Sequence, residues 1–271
     1  MAIITISRGS FSGGKTLAEC LSKKLGYRCI DRDVIVERAA ASGRGVTQQE
    51  IREALERPPG FFERFSHRRY VYLALIQAAL TEEVKDGKAI YHGLAGHLLL
   101  QGGPHILRTR VIAPIEQRIE MVRDRLKYGR DEAIAYIHRM DEDRRKWTQL
   151  LYGVNWEDSS LYDVVINLEH LTIENACNLI STVMLERCFE FTSRCKQCMD
   201  DFALASRVRA ELALDRATGD VEVETSSELG VVSIRGKLNT IEQLDAVRRV
   251  ASAVPGVSGL DTHELMVPMR S

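Results

Sequence analysis

The chain begins with a short apolar run rich in β-branched residues, positions 2–7, which stops at the turn-forming segment RGSFSGG. Apolar side chains then recur at helical spacing, at Leu17, Cys20, Leu21 and Leu25. Gly26 follows them, and glycine commonly ends a helix. This pattern predicts a strand, a glycine loop and a helix. A second strand, YRCI, is predicted to end at Asp31, before a helix in DVIVERAAA and a turn in SGRG.

The next part of the chain alternates helical and extended patterns. Residues 47–86 have a helical pattern that is interrupted by Pro58, Pro59 and Gly60. Strands are predicted in KAIYHG, in HILRTRVIA and in YDVVIN at 162–167, with helices over 115–126, 131–150 and 172–190. Because strands that alternate with helices form parallel sheets covered on both faces, the pattern predicts an α/β domain with a five-stranded parallel sheet.

The pattern changes at about residue 192, where the polar segment TSRCKQCMDD ends the preceding helix. The predicted order after it is helix 202–214, strand 219–225, strand 229–236, helix 240–253 and strand 257–266. Such an α-β-β-α-β unit is small but within the size range that folds alone. We therefore predict a first domain over 1–190, a linker over 191–200 and a small α+β domain over 201–271.

Composition and charge limit the kinds of function that this chain is expected to have. Hydrophobic residues make up 45% of the 271 residues and charged residues 28%, as in ordinary globular proteins. The 37 basic and 38 acidic side chains nearly cancel, so no overall field attracts nucleic acid or an anionic membrane. No apolar run approaches the ~20 residues that span a bilayer, and the opening MAIITISRG lacks the features of a secretion signal. We expect a cytoplasmic protein that does not bind nucleic acid.

The six cysteines are expected to be reduced thiols, since a chain of this length without an export signal needs no disulfide framework. Cys195 and Cys198 form a single CxxC pair, and Cys188 precedes them. A structural zinc site usually needs four ligands, and no second CxxC or His pair follows at a suitable spacing. We interpret these residues as buried or linker thiols, with metal or redox chemistry as the alternative.

The strongest chemical signal lies between the first strand and the first helix. The phosphate-binding pattern G-x-x-x-x-G-K-[ST] is matched without a gap by Gly9, Ser10, Phe11, Ser12, Gly13, Gly14, Lys15 and Thr16. Backbone N–H groups in such a loop, together with the helix dipole, favour an anionic phosphate. By position, Lys15 is expected to contact the β- and γ-phosphates of ATP, and Thr16 to be a Mg²⁺ ligand. The alternative is a glycine-rich turn with an exposed lysine and a helix-capping threonine.

The size of the first domain favours one class of nucleotide-binding protein, because it suits a compact nucleoside monophosphate kinase better than a large motor. Such a kinase brings two polyanions together and needs arginines from a mobile lid to neutralise charge during transfer. The segment HRMDEDRRKW supplies Arg139, Arg144 and Arg145 in the expected late position.

Six segments of the first domain follow one another in a recognisable order: ISRGSFSGGKT, LGYRCIDRDVI, IYHGLAGHLLL, VIAPIEQRIE, MDEDRRKW and YGVNWEDSSLYDVVIN. In these segments, residues 1–190 resemble the cytidylate kinase-like family. The resemblance implies a P-loop NTPase-type sheet with helices on both faces and a helical lid, and ATP and Mg²⁺ as cofactors. It implies that Asp31 borders the acceptor and that Arg118, at the start of the lid helix, helps to bind ATP.

The resemblance also assigns roles to two residues of the lid. Arg144 would contact the transferred or acceptor phosphate, and Asp141 would help to orient Arg144. These residues are three positions apart on a predicted helix, so the alternative is a surface ion pair that contributes a few tenths of a kcal/mol.

One position departs from the family pattern. After the third strand the family usually has Gly-Arg, whereas here Gly93 is followed by Leu94. A missing arginine near the phosphates removes a charged donor. We expect that His92, His97 or another lid arginine compensates for it, or that the acceptor is not an ordinary CMP.

The C-terminal segment has an amphipathic helix with Leu204, Val208 and Leu212, then the strand GVVSIRG and the turn VPGV. These features resemble a BON domain, which implies contact with a membrane or phospholipid surface or with ligand-sensing partners. Residues 201–271 carry 8 basic and 11 acidic side chains, a net negative charge that disfavours anionic lipid. A regulatory or oligomerising module is therefore the expectation.

Two functional hypotheses follow. The first is ATP- and Mg²⁺-dependent phosphoryl transfer to CMP or a related small acceptor, in which binding and charge neutralisation supply the catalysis. The second is a non-catalytic nucleotide sensor whose BON-like domain relays the nucleotide state to a protein or membrane partner. A homo-oligomer is compatible with both hypotheses.

Overall fold

The computed structural model describes residues 2–56, 67–103 and 105–267. The first domain contains the strands Ile3–Arg8 (β1), Arg28–Ile30 (β2), Ala89–Tyr91 (β3), Ile106–Ile112 (β4) and Val164–Asn167 (β5). They form one five-stranded sheet in the order β2-β3-β1-β4-β5, and all neighbouring strands are parallel. The predicted α/β fold class is confirmed. The predicted interruption at Pro58, Pro59 and Gly60 lies outside the described residues.

Helices connect these strands: Gly14–Leu25 (α1), Arg32–Ser42 (α2), Gln48–Glu56 (α3), His67–Val84 (α4), Gly96–Leu99 (α5), Ile115–Leu126 (α6), Arg130–Tyr152 (α7) and Ile173–Val183 (α8). Gly26 caps the C-terminus of α1 with a left-handed φ of 67°, as its position in the sequence predicts. The closing helix predicted over 172–190 is shorter than expected. Its apolar stripe ends at Met184, and the next residue, Leu185, is exposed.

The sheet separates two hydrophobic clusters, because successive side chains of a strand point to opposite faces. Ile3 belongs to the cluster with α2 and α4, whereas Ile4 and Ile6 belong to the cluster with α1 and α8. Since the strands are parallel, their carboxyl ends meet at one edge of the sheet. This edge brings together Arg8 at the end of β1, the residues after β3, and Asp31 after β2.

The C-terminal unit has the elements Ser193–Leu214 (α9), Val223–Glu228 (β6), Val231–Lys237 (β7), Glu242–Ser252 (α10), Gly259–Asp261 (β8) and Leu265–Met266 (β9). β6 and β7 are antiparallel, and β7 pairs in parallel with both β8 and β9. The final strand predicted over 257–266 is therefore two short strands, separated by a turn in which Leu265 N–H donates to the Thr262 carbonyl. Core residues of this unit include Leu204, Val208, Val232, Ile234 and Val247.

The segment predicted as a linker, 191–200, lies largely in α9, so that this prediction is wrong at the level of secondary structure. Thr192 caps the helix by accepting a hydrogen bond from Cys195 N–H at 3.3 Å. Cys195 and Met199 are buried, which gives the first turns of α9 an apolar face that the polar appearance of the segment hides.

The two units share α9 and pack on each other. One side of α9 contributes Met199, Ala210 and Ala213 to the core of the first domain. Its other side contributes Leu204, Val208 and Leu212 to the core of the C-terminal unit. The hydroxyl of Tyr70 in α4 donates to the Val223 carbonyl at 3.0 Å and accepts from Val223 N–H at 3.1 Å. The edge strand β6 is thereby tied to the first domain.

Candidate functional site

The loop between β1 and α1 has the backbone shape of a phosphate cradle. Gly13, which precedes α1, has a φ of 82°, a conformation that glycine adopts without strain. The Ser12 hydroxyl donates to the Gly9 carbonyl at 2.9 Å and lies 3.2 Å from the Val111 carbonyl in β4. These hydrogen bonds fix the shape of the loop and attach it to the sheet. The N–H groups of the loop lie next to the N-terminus of α1, which is the positive end of the helix dipole.

Lys15 and Thr16 lie in the first turn of α1, where both are exposed. The Lys15 ammonium is 4.0 Å from a carboxylate oxygen of Glu19, one turn further along, and both side chains are more than half exposed. Such a pair contributes little. The ammonium is therefore available to a phosphate at the mouth of the loop.

The side chains of Asp141 and Arg118 are hydrogen-bonded to the backbone of the loop. Ser10 N–H donates to Asp141 Oδ1 at 2.9 Å, and Arg118 Nε donates to the Ser10 carbonyl at 2.7 Å. Arg118 Nη2 also donates to Asp141 Oδ2. The two side chains are only 13% and 23% exposed. The ion pair considered as the alternative, between Arg144 and Asp141, is also largely shielded, since its side chains are 19% and 23% exposed. The Arg118–Asp141 pair connects α6 and α7 to the phosphate loop.

Arg144, one turn after Asp141, reaches the end of the central strand. Its Nη1 donates to the Arg8 carbonyl and lies 3.7 Å from Asp141 Oδ1, and its guanidinium stands 4.9 Å from the centre of the Trp156 ring. Burial lowers the pKa of Arg144 to about 10, while the Asp141 carboxylate opposes that shift. Arg144 therefore stays cationic at neutral pH.

The loop faces a cleft of about 310 Å³ at the carboxyl edge of the sheet. Of the residues predicted for the site, Ser10, Phe11, Lys15, Asp31 and Arg144 line this cleft. The Asp31 carboxylate also caps α2, since it accepts a hydrogen bond from Val34 N–H at 3.0 Å. The cleft therefore has two polar walls that face each other, one formed by the loop and one by the start of α2.

Several expectations about the lid are not met in this arrangement. Arg139 lies over the Tyr136 ring at 5.5 Å, and Arg145 pairs with Glu142 on the surface of α7. Neither arginine lines the cleft. Arg144 is therefore the member of the predicted lid trio that reaches the site, because only its position on α7 faces the end of β1.

The histidines expected to compensate for Leu94 differ from each other. His92 follows β3 and lines the cleft. His97 does not: its ring packs against that of Tyr162, with the ring centres 4.7 Å apart and the planes tilted by 46°, and burial lowers its pKa to about 4. The expectation that His97 could replace the missing arginine is wrong, because α5 turns the side chain away from the cleft. Leu94 itself lines the cleft and packs against the core on its other side.

Sequence reasoning missed Arg8, Arg32 and Trp147 as lining residues of the cleft. Arg8 had a local signal, since it is a charged residue at the end of an apolar strand, immediately before the loop. Trp147 is 1% exposed and donates from Nε1 to the Ala54 carbonyl at 2.9 Å, so it also joins α7 to α3.

The CxxC pair lies in the first turns of α9. Cys195 is buried and Cys198 is exposed, and all six cysteines are free thiols. In the described ranges, no group of three or more His, Cys, Asp or Glu side chains could hold a metal ion. None of the helices within these ranges has the length and apolar character needed to cross a bilayer.

Comparisons with known proteins agree with this geometry. The profile of the cytidylate kinase-like family matches residues 3–170, and that of the BON domain matches residues 200–265. The cytidylate kinase of Thermococcus kodakarensis is 30% identical over 169 residues, which cover 62% of this chain and 80% of that protein. The cytidylate kinase of Methanocaldococcus jannaschii is 26% identical over 184 residues, covering 67% of this chain and 97% of that protein.

Among solved structures, an uncharacterized protein from Eubacterium ventriosum has the same fold, with a TM-score of 0.52 and 17% identity. The match covers 69% of this chain and 100% of that one.

Proposed function

Because this chain belongs to the cytidylate kinase-like family, we propose that it transfers the γ-phosphoryl group of ATP to a nucleoside monophosphate, with CMP as the first acceptor to test. Kinase activity follows from the family, and the acceptor is the proposed part. The observation that supports it best is the cleft, in which Lys15 and the phosphate loop face Asp31, with Arg144 beside them.

ATP is assigned to the side of the cleft formed by the loop. The N–H groups from Gly13 to Thr16, at the start of α1, and the Lys15 ammonium would hold its β- and γ-phosphates. The Arg118–Asp141 pair, which bonds to both backbone groups of Ser10, would keep the loop in shape. A nucleotide-bound Mg²⁺ takes most of its ligands from phosphate and water, so the single exposed hydroxyl of Thr16 fits the protein's share. The ion would neutralise charge on the phosphates.

The acceptor is assigned to the opposite wall. Asp31, at the start of α2, would border the acceptor nucleotide, and the Arg144 guanidinium would contact the phosphate that is attacked or transferred. Asp141 keeps Arg144 oriented toward the end of β1. Catalysis is then positioning and electrostatic stabilisation, and no covalent enzyme intermediate is needed.

An acceptor panel tests this proposal. The full chain is incubated with MgATP and, in turn, CMP, dCMP, UMP, AMP and GMP, and ADP release is measured. We expect ADP release that depends on one pyrimidine monophosphate, with the diphosphate as co-product. If ADP forms with none of the five, the proposed transfer is wrong.

A second candidate function, nucleotide sensing, is favoured by the way the units are joined. α2 begins at the acceptor wall, and its last turn lines a second cleft, of about 650 Å³, between the two units. Ion pairs cross between the units from Arg44 to Glu211 at 2.9 Å and from Arg207 to Glu82 at 3.7 Å. Movement of α2 on nucleotide binding would therefore reach the BON domain directly, and through it a protein or membrane partner.

The same panel separates the two candidates. Tight ATP binding in calorimetry, without ADP release for any acceptor, supports the sensor and contradicts the kinase. Hydrogen exchange adds a direct measure, because a sensor should change the protection of α9 and α10 when ATP binds. Acceptor-dependent turnover with unchanged exchange in these helices contradicts the relay.

A further inference from the structure

Arg8 is a charged residue of the cleft that has no role in the assignments above. Arg8 ends β1 immediately before the phosphate loop, and its side chain lines the cleft. Arg8 Nη1 donates to the His92 carbonyl at 2.9 Å and lies 3.2 Å from His92 Nδ1. Because a guanidinium only donates, Nδ1 is the acceptor and the proton of the neutral ring lies on Nε2. Burial and the charge of Arg8 lower the pKa of His92, which keeps the ring neutral.

Arg8 has no acidic partner within the described part of the chain: its two hydrogen-bonding contacts both go to His92. The carboxylates of the acceptor wall are engaged elsewhere, Asp31 in capping α2 and Asp33 in an ion pair at 2.7 Å. Burial, and then the charge of Arg32, lower the pKa of Arg8. A half-buried guanidinium beside other cations, without a counter-charge, is an arrangement that an anion stabilises.

The direction of the Arg8 side chain indicates which anion would neutralise its charge. β1 lies at the centre of the sheet, β3 is its neighbour and β2 lies beyond β3. Because the Arg8 guanidinium is hydrogen-bonded to His92 at the end of β3, it extends away from the phosphate loop and toward the wall of the cleft that carries Asp31. A Cβ on Gly14 would come within 2.5 Å of Arg8 Cδ, so this glycine leaves room for the arginine stem.

We propose that Arg8 binds the phosphate group of the acceptor and that His92 is its positioning residue. This inference rests on the proposed function, because it concerns the acceptor of that transfer. Arg144, which donates to the Arg8 carbonyl, provides a second guanidinium on the same side. Leu94 also lines the cleft but carries no charge, so the guanidinium that reaches the end of β3 in this cleft comes from β1.

Three variants test the proposal in the full chain. Arg8→Met keeps the length of the side chain and removes the charge, while Arg8→Lys keeps the charge and removes the planar fork. Arg123→Met, at an exposed position of α6, is the matched control. Thermal unfolding first establishes that each variant is folded.

Kinetics with MgATP and CMP, or with the monophosphate that the panel identifies, give the first readout. We expect kcat/KM for the acceptor to fall about 10²–10³-fold in Arg8→Met, with Arg8→Lys between it and the wild type. The Kd for MgATP in calorimetry should stay unchanged, and Arg123→Met should behave as the wild type.

The second readout compares the Kd of CMP with that of cytidine, which has no phosphate. Arg8→Met should lose about tenfold or more of the preference for CMP, as expected for a charged hydrogen bond to phosphate. An equal loss of affinity for both compounds, or unchanged kinetics and preference beside an active wild type, overturns the role of Arg8 and leaves the proposed function standing. A wild-type protein that phosphorylates no monophosphate overturns both.

Discussion

Replacing Tyr70 with phenylalanine removes a single oxygen atom and tests how the two units are joined. The Tyr70 hydroxyl pairs with both the carbonyl and the N–H of Val223, at 3.0 Å and 3.1 Å. Val223 begins β6, the edge strand of the C-terminal sheet, so these two backbone groups have no strand partner on that side. Tyr70 is 8% exposed, which limits the access of water to the gap that the substitution leaves.

The cost follows chiefly from the two Val223 backbone groups, which lose their partner. Arg209 Nε also donates to this hydroxyl, at a longer 3.4 Å, and its guanidinium keeps a second hydrogen bond to Gln77. A buried polar group left unsatisfied costs about 1–3 kcal/mol, and the aromatic ring with its packing is retained. We expect the free energy of unfolding to fall by roughly 2–4 kcal/mol, since a partly wetted carbonyl recovers some of the loss. At about 2–4 °C per kcal/mol for a protein of this size, Tm should fall by roughly 5–15 °C.

Urea unfolding and calorimetry of the full chain measure this change. Tyr72→Phe is the matched control on the same helix: the Tyr72 hydroxyl donates to Glu50 Oε1 at 3.1 Å in a more exposed place, and its loss should cost less than about 1 kcal/mol. If Tyr70→Phe were no more destabilising than Tyr72→Phe, the hydroxyl would not be the link between α4 and β6, and the reasoning would be refuted.

Three further predictions concern the site and the core. Lys15→Ala should reduce turnover at least about 10²-fold while leaving the urea midpoint unchanged, because the side chain is exposed; turnover at the wild-type rate would exclude its assigned role. Asp141→Ala leaves Ser10 N–H and the Arg118 guanidinium without their shared acceptor, so the Kd for MgATP should rise about tenfold or more; an unchanged calorimetric Kd would contradict the clamp. The buried His97 has its pKa lowered from 6.5 to about 4, and neither ring nitrogen has a hydrogen-bond partner in the described structure. Between pH 6.5 and about 4 the unfolded chain binds a proton that the buried ring does not, so roughly 3 kcal/mol of the free energy of unfolding is lost as the pH falls from 6.5 to about 4. His97→Phe should flatten that part of the stability profile, and an equal slope in both proteins would argue against the assignment.

The parts of the site that are contiguous in sequence could be predicted from it. The apolar run of β1, the glycine loop and the periodic face of α1 follow one another without interruption, and Asp31 directly follows β2. Helix α6 spans Ile115–Leu126, the range that its apolar spacing predicts. Each of these features depends on backbone preferences and on hydrophobic periodicity within a dozen residues, which the local sequence carries completely.

Contacts between distant segments were decided only by the tertiary structure. Nothing in the sequence near Arg8 indicates that its guanidinium meets His92, 84 positions later, because that contact depends on β1 and β3 being neighbours in the sheet. The same is true of Tyr70 and Val223, and of α9, whose polar beginning was predicted to be a linker. A short amphipathic segment becomes a shared core helix only when two surfaces are present to bury both of its faces, and those surfaces come from residues far away along the chain.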